Sequence, residues 1–229
     1  GLAGNGVYSI LEDDLGRLWF GTDRGLCHYY EGEFEIYKTN EDISCLWGCV
    51  KDSRGGLWFG LKGKIGAKAS ICNVMDQNVK LIELNYDGGL SDGINGLLED
   101  ENGIIWCCGP GLYRIDNDYV ELIQKTEKMS ISAIMRDGPD LIWLSTHSGL
   151  YKYNTKINKL EIVDGDMSDG SSVVSISRDI HGFLWFITED GKLYRCEKSE
   201  LKEMTKSDHR FWHGACFDSI GRLWVSSYG

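Results

Sequence analysis

An all-β propeller of four-stranded antiparallel blades is the fold this sequence predicts, and three observations predict it. A tryptophan-centred segment is written six times, at Trp19, Trp58, Trp106, Trp143, Trp185 and Trp224, with steps of 37 to 48 residues. A period near 40 residues with strand-like content is the mark of one propeller blade per repeat. Each tryptophan also has an aspartate six positions upstream: Asp13, Asp52, Asp100, Asp137, Asp179 and Asp218. Finally, no stretch carries helical periodicity, and 29 glycines with only two prolines suit many tight turns.

The first repeat shows how a blade is written. Its inner strand is expected at Val7–Glu12, the second at Leu18–Thr22, the third at Leu26–Tyr30 and the outer one at Phe34–Lys38. Between the first two lies a D-x-x-G turn, with Gly16, Gly55, Gly103, Gly182 or Gly221 three residues after the aspartate and Asp140 the one departure. An aspartate opening the turn and a glycine in the left-handed position is hairpin chemistry. Ten residues before each tryptophan stands a small residue, Ser9, Gly48, Gly96, Ala133, Ser175 or Gly214, as expected where inner strands crowd one another. The tryptophan strands LWFG, LWFG, IWCC, IWLS, LWFI and LWVS are apolar on both faces, which suits a sheet covered on each side. Third strands recur as GLYRID, GLYKYN and GKLYRC, and outer strands such as KLEIVD alternate apolar and polar residues.

The repeats fall at about 7–38, 46–85, 94–125, 131–164, 173–206 and 212–229, within one propeller domain over 1–229. Five blades are complete and the sixth is half present. A piece of a longer propeller, with at least one further blade, is therefore expected. The six turn aspartates do not make a calcium loop, since each sits in its own hairpin without clustered oxygen ligands.

The pattern V-x-S-I-x-E-D-x-x-G-x-L-W-F-G-T-x-x-G-L-x-x-Y, almost whole from Val7 to Tyr29, resembles the two-component regulator propeller family. That resemblance implies a seven-bladed fold, a position outside the cytoplasm, and service as the sensor region of a hybrid histidine kinase, often for oligosaccharides. It implies no catalysis by this segment; a kinase would belong to the parent chain. The stretch LWFITEDG from Leu184 is also similar to the repeat of streptogramin lyases, which implies a second reading with a histidine base and magnesium. A protein-interaction scaffold is a third reading.

Composition narrows the partners. A formal charge of −11 and a pI of about 4.9 argue against nucleic acid and anionic membrane surfaces. No apolar run approaches the roughly 20 residues of a membrane helix. Of the eight cysteines, Cys27, Cys49, Cys107, Cys108, Cys196 and Cys216 fall in apolar strand segments, and no C-x-x-C pair occurs. Buried free thiols are expected, which favours a reducing cytosol or an anaerobic habitat over an oxidising exterior. No cofactor and no metal site is expected, and the open edge leaves a homodimer in view.

Recognition is expected where the repeats differ. Eleven residues before the tryptophans stand Tyr8, Trp47, Asn95, Ser132, Val174 and His213, a varied set at the axial mouth. Aromatic faces there can stack on sugar rings while polar neighbours fix hydroxyls. Trp47 leads this set. The loops after the second strands add Asp23, Arg24, His147 and Tyr228, and an insertion in the second repeat adds Lys62, Lys64 and Lys68, a basic cradle suited to an acidic sugar. His28, His181 and His209 have no Cys or His neighbour at ligand spacing.

Overall fold

The computed structural model describes residues 1–37, 44–62, 69–75, 78–84, 93–163, 172–197, 200–206 and 212–227, with the side chains of 46, 47, 206, 212, 213, 226 and 227 outside that description. The described residues form six antiparallel sheets, five of four strands and one of two. They divide into two compact units, Gly1–Met129 and Ser130–Gly229.

The first unit holds three blades. The first is β1 (Val7–Glu12), β2 (Leu18–Thr22), β3 (Gly25–Tyr30) and β4 (Glu33–Tyr37). The second is β5 (Cys45–Lys51), β6 (Leu57–Leu61), β7 (Ser70–Met75) and β8 (Asn78–Glu83). The third is β9 (Gly96–Glu99), β10 (Ile105–Gly109), β11 (Gly111–Asp116) and β12 (Tyr119–Leu122), followed by a 3-10 turn at Gln124–Thr126. In each blade neighbours in sequence are neighbours in the sheet. The first blade follows the sequence reading closely. Only the third and outer strands begin a residue early, and Lys38 lies outside the described residues.

The second unit repeats the plan. Its blades are β13 (Ile131–Arg136), β14 (Leu141–Thr146), β15 (Gly149–Asn154) and β16 (Lys159–Ile162), then β17 (Val173–Arg178), β18 (Leu184–Thr188), β19 (Lys192–Glu197) and β20 (Glu200–Lys206). The last sheet has β21 (Trp212–Phe217) and β22 (Leu223–Ser227).

Within each unit the tryptophan of one blade is a wedge against the next. Trp19 packs with Leu57, Phe59 and Cys72 of the second blade, and Trp58 with Ile94, Ile105 and Tyr113 around the third. Trp143 shares a core with Val173, Phe186 and Tyr194 of the fifth. Burying one such ring removes about 150–250 Å² from water, an upper bound of roughly 4–6 kcal/mol. Trp224 departs from the pattern: it is 57% exposed, and among the described residues no following sheet receives it as the second blade receives Trp19.

The turns do more than the sequence reading gave them. In every repeat Oδ2 of the turn aspartate accepts the indole N–H of the tryptophan six residues on, at 2.7 to 3.0 Å. In five of them Oδ1 also takes two backbone N–H groups of the turn, as Asp13 does from Leu15 and Arg17. The fourth repeat differs. Asp140 occupies the usual glycine position, and the left-handed residue is Gly138 (φ 86°), one residue after Asp137. There Oδ1 of Asp137 meets Arg178 of the next blade at 3.0 Å instead.

Small residues sit where backbones meet. A Cβ on Gly60 would lie 2.3 Å from the Ile94 carbonyl oxygen, and one on Gly48 2.9 Å from the Gly96 nitrogen. The crowding expected of the inner strands is therefore present between blades of the first unit.

All eight cysteines are free. Cys27, Cys45, Cys72, Cys107 and Cys108 are buried, as expected for thiols used as small hydrophobes. Cys49 and Cys196 are half-buried, and Cys216 is exposed, on the two-stranded sheet whose faces lack full cover. No helix among the described residues is long and apolar enough to cross a membrane.

Candidate functional site

The variable positions are expected at one end of the blades, and the local geometry explains why they are free to vary. In the first blade Val7 pairs with Thr22 and Ser9 with Gly21, so the register shifts at Tyr8, the extra residue of a β-bulge. The same shift falls at Ile131/Ala133, Val173/Ser175 and Trp212/Gly214, which makes Ser132, Val174 and His213 the inserted residues of their strands. In the second blade it lies between Cys45 and Cys49, the interval that contains Trp47. A β-bulge bends the strand and re-aims its extra side chain, and such bulges recur beside binding sites.

The loop after the second strand is tied to the chain just before the inner strand. Asp23 N–H donates to Gly6 O at 3.0 Å, and Gly6 N–H returns a bond to Asp23 Oδ1 at 3.1 Å. Lys62 N–H donates to Ser44 O at 2.8 Å, and Glu189 N–H to Ser172 O at 2.9 Å. The loop itself is closed by a buried threonine. Thr22 Oγ1 donates to Gly25 O at 2.8 Å and accepts from Arg24 N–H, and Thr146 repeats the arrangement with Gly149 and Ser148. Thr188 Oγ1 accepts from Lys192 N–H at 3.0 Å. Thr22 and Thr146 stand in the sequence as T-x-x-G-L, and Thr188 as T-x-x-G-K-L.

The first unit brings Tyr8, Trp47 and Asn95 onto three successive inner strands or their immediate approach, and β1, β5 and β9 are direct neighbours. Tyr8 is 38% exposed. Asn95 is half-buried, and its N–H donates to Cys108 O. Asp23 is half-buried and Arg24 and Lys62 are exposed. In the second unit His147 is exposed, with Nδ1 3.0 Å from Ser172 Oγ. The side chains of Trp47 and His213, and residues Lys64, Lys68, His209 and Tyr228, lie outside the described residues. His28 is buried on β3 beside Trp19, and His181 lies exposed in its turn.

The opposite end of the blades holds something the sequence reading missed. A cleft of about 390 Å³ opens between the first and second blades at their D-x-x-G turns, with Arg17 and Arg54 on its walls. Because both arginines belong to turns that looked purely structural, only their sequence neighbourhoods, DDLGR and DSRGG, signalled them. Among the described residues no group of three or more His, Cys, Asp or Glu is placed to hold a metal.

The two component regulator propeller family model matches residues 1–24. No curated protein matches the chain in sequence. Among solved structures, virginiamycin B lyase from Staphylococcus aureus superposes with a TM-score of 0.77 at 20% identity, over 98% of this chain and 78% of the lyase. The extracellular domain assigned to the hybrid two component system BT3049 of B. thetaiotaomicron gives a TM-score of 0.51 at 14% identity, over 96% of this chain and 38% of that one. PorZ, a surface component of the type-IX secretion system of Porphyromonas gingivalis, gives 0.69 at 14% identity, over 96% and 37%. What these proteins share with this one is the β-propeller fold. Enzymes and extracellular sensor domains both stand among them.

Proposed function

We propose that this chain is a non-catalytic sensing module of a bacterial two-component receptor, placed outside the cytoplasm, that recognises a carbohydrate at the bulged end of its blades. The observation that carries the proposal is the bulge. Four described hairpins carry one extra residue at the same register shift, that residue varies from Tyr8 to Ser132, Val174 and His213, and the loop beside it is pinned by backbone bonds. A rigid frame presenting interchangeable side chains is what recognition asks of a scaffold. The family match over residues 1–24 and the likeness to extracellular domains of two-component systems support the receptor context.

The test is a thermal-shift screen with neutral and uronic oligosaccharides. A glycan present at a hundred times its Kd should stabilise the fold by about 2.7 kcal/mol. Trp47→Ala and Tyr8→Ala should each cancel that shift while the unliganded melting temperature holds. A well-folded protein that responds to no glycan in the panel would refute the carbohydrate reading.

The likeness to virginiamycin B lyase favours a second reading, a lyase acting on a cyclic ester with a histidine base and magnesium. It requires magnesium-dependent turnover that disappears in His181→Ala or His213→Ala. Turnover that is absent, or that survives both changes, removes it.

A further inference from the structure

We propose that the cleft between the first two blades is a separate ligand site, and that it takes a small organic carboxylate carrying an apolar body. Four residues after its aspartate the first repeat has Arg17, and two residues after its aspartate the second has Arg54. No other pair of successive repeats in the sequence combines an arginine at both places. The turns lie side by side, so both guanidinium groups border one cleft of about 390 Å³. That volume falls within the range of small-molecule pockets.

Its lining is asymmetric in a way that selects a ligand. The floor is apolar: Trp19, Leu57 and Val74 are buried there, with Met75 beside them. Asp13 has both carboxylate oxygens engaged, and Asp14 one of its two. Asp13 Oδ1 takes the N–H groups of Leu15 and Arg17, and Oδ2 takes Trp19 Nε1 at 2.8 Å and Arg17 Nε at 2.6 Å. Asp14 Oδ1 takes Lys51 Nζ at 2.7 Å.

The donors are not spent. Among the described residues the two terminal nitrogens of Arg17 make no hydrogen bond, and neither does any part of the Arg54 guanidinium. The acid nearest Arg54 is Asp52, at 3.7 Å, and the Asp52 oxygen concerned already receives the Trp58 indole N–H at 2.7 Å. Two forked cations with unspent N–H groups above an apolar floor match a carboxylate, which accepts paired N–H bonds from arginine, joined to a ring or short alkyl body. This site lies at the other end of β1 from Tyr8, roughly 16 Å along the strand, so it is independent of the carbohydrate reading.

Calorimetric titration of the chain with phenylacetate, and in parallel with its methyl ester, tests this. Phenylacetate should bind saturably, the ester at least tenfold more weakly, and Arg54→Met should weaken the acid by a similar factor, roughly 1.4 kcal/mol. The Arg54 side chain is 53% exposed and makes no hydrogen bond, so the variant should melt like the parent. Trp47→Ala should leave phenylacetate binding unchanged. Absence of saturable heat up to about 10 mM, equal binding of acid and ester, or full binding by Arg54→Met would overturn the proposal.

Discussion

Trp19 donates its indole N–H to Oδ2 of Asp13 at 2.8 Å, so the turn residue and the blade wedge of each repeat form one device. The aspartate locks the hairpin with one oxygen and aims the ring with the other. The wedge supplies the larger energy, since a buried indole outweighs one hydrogen bond of about 1 kcal/mol by several-fold.

Removing the two partners should therefore cost unequal amounts. Trp19→Phe keeps most of the wedge and should lose about 1–2 kcal/mol, whereas Asp13→Ala strands two backbone donors, the indole and Arg17, and should lose about 3 kcal/mol. The double variant should fall short of the sum by about 1 kcal/mol, read as a coupling energy in urea unfolding. Additivity would show that the bond only accompanies the packing. Because Trp224 is exposed, Asp218→Ala should cost less than Asp13→Ala.

Acid should unfasten these turns. Hydrogen bonds from Trp224 and Arg222 hold Asp218 at about 2, below the ordinary 3.8. For Asp13 and Asp179 burial pushes upward, but the indole, backbone and neighbouring side-chain groups outweigh it and the net displacement is downward. A carboxylate whose folded pKa is depressed contributes stability above its unfolded value, and loses it as pH falls through the folded one. Stability measured from pH 5 downward should decline below about 4 and keep declining toward 2, with a shallower slope in Asp13→Asn.

Two glycine substitutions separate crowding from backbone strain. Gly60→Ala drives a methyl to within 2.3 Å of a neighbouring carbonyl and should cost about 3 kcal/mol. Gly138→Ala meets open space and pays only for its φ of 86°, about 1 kcal/mol. Equal losses in chemical denaturation would contradict the close approach of β6 to the Ile94 backbone.

Thiol labelling should follow burial. Cys216 should react with a disulfide reagent within the native state, while Cys45, whose pKa burial raises to about 12, and Cys108, raised further by the same cause, should react only on unfolding. Fast native labelling of Cys108 would show that its blade opens.

Much of the architecture could be read from one chain because its signals repeat. Asp and Trp at fixed spacing located the first hairpin of every blade, and the strands of the first blade were placed to within a residue. The Asp–Trp bond escaped notice since each partner already had a sufficient local reason to be there. Trp224 and Cys216 were misjudged for a different cause: their sequence contexts match buried counterparts, and only the number of strands around them decides their exposure. At the candidate site the variable residues were identified by position, but the bulge that frees them is a register effect with no residue type of its own. The arginine cleft was illegible, because it arises from two turns brought side by side by blade packing.

The extra residue at the register shift of β1, β13, β17 and β21 has one more implication. A side chain at that shift can be exchanged without disturbing the registration of the strands on either side, so mutation can explore new ligands there at little structural risk. Diversity is thus confined to a few addresses, much as a keyboard changes its letters while the frame stays put.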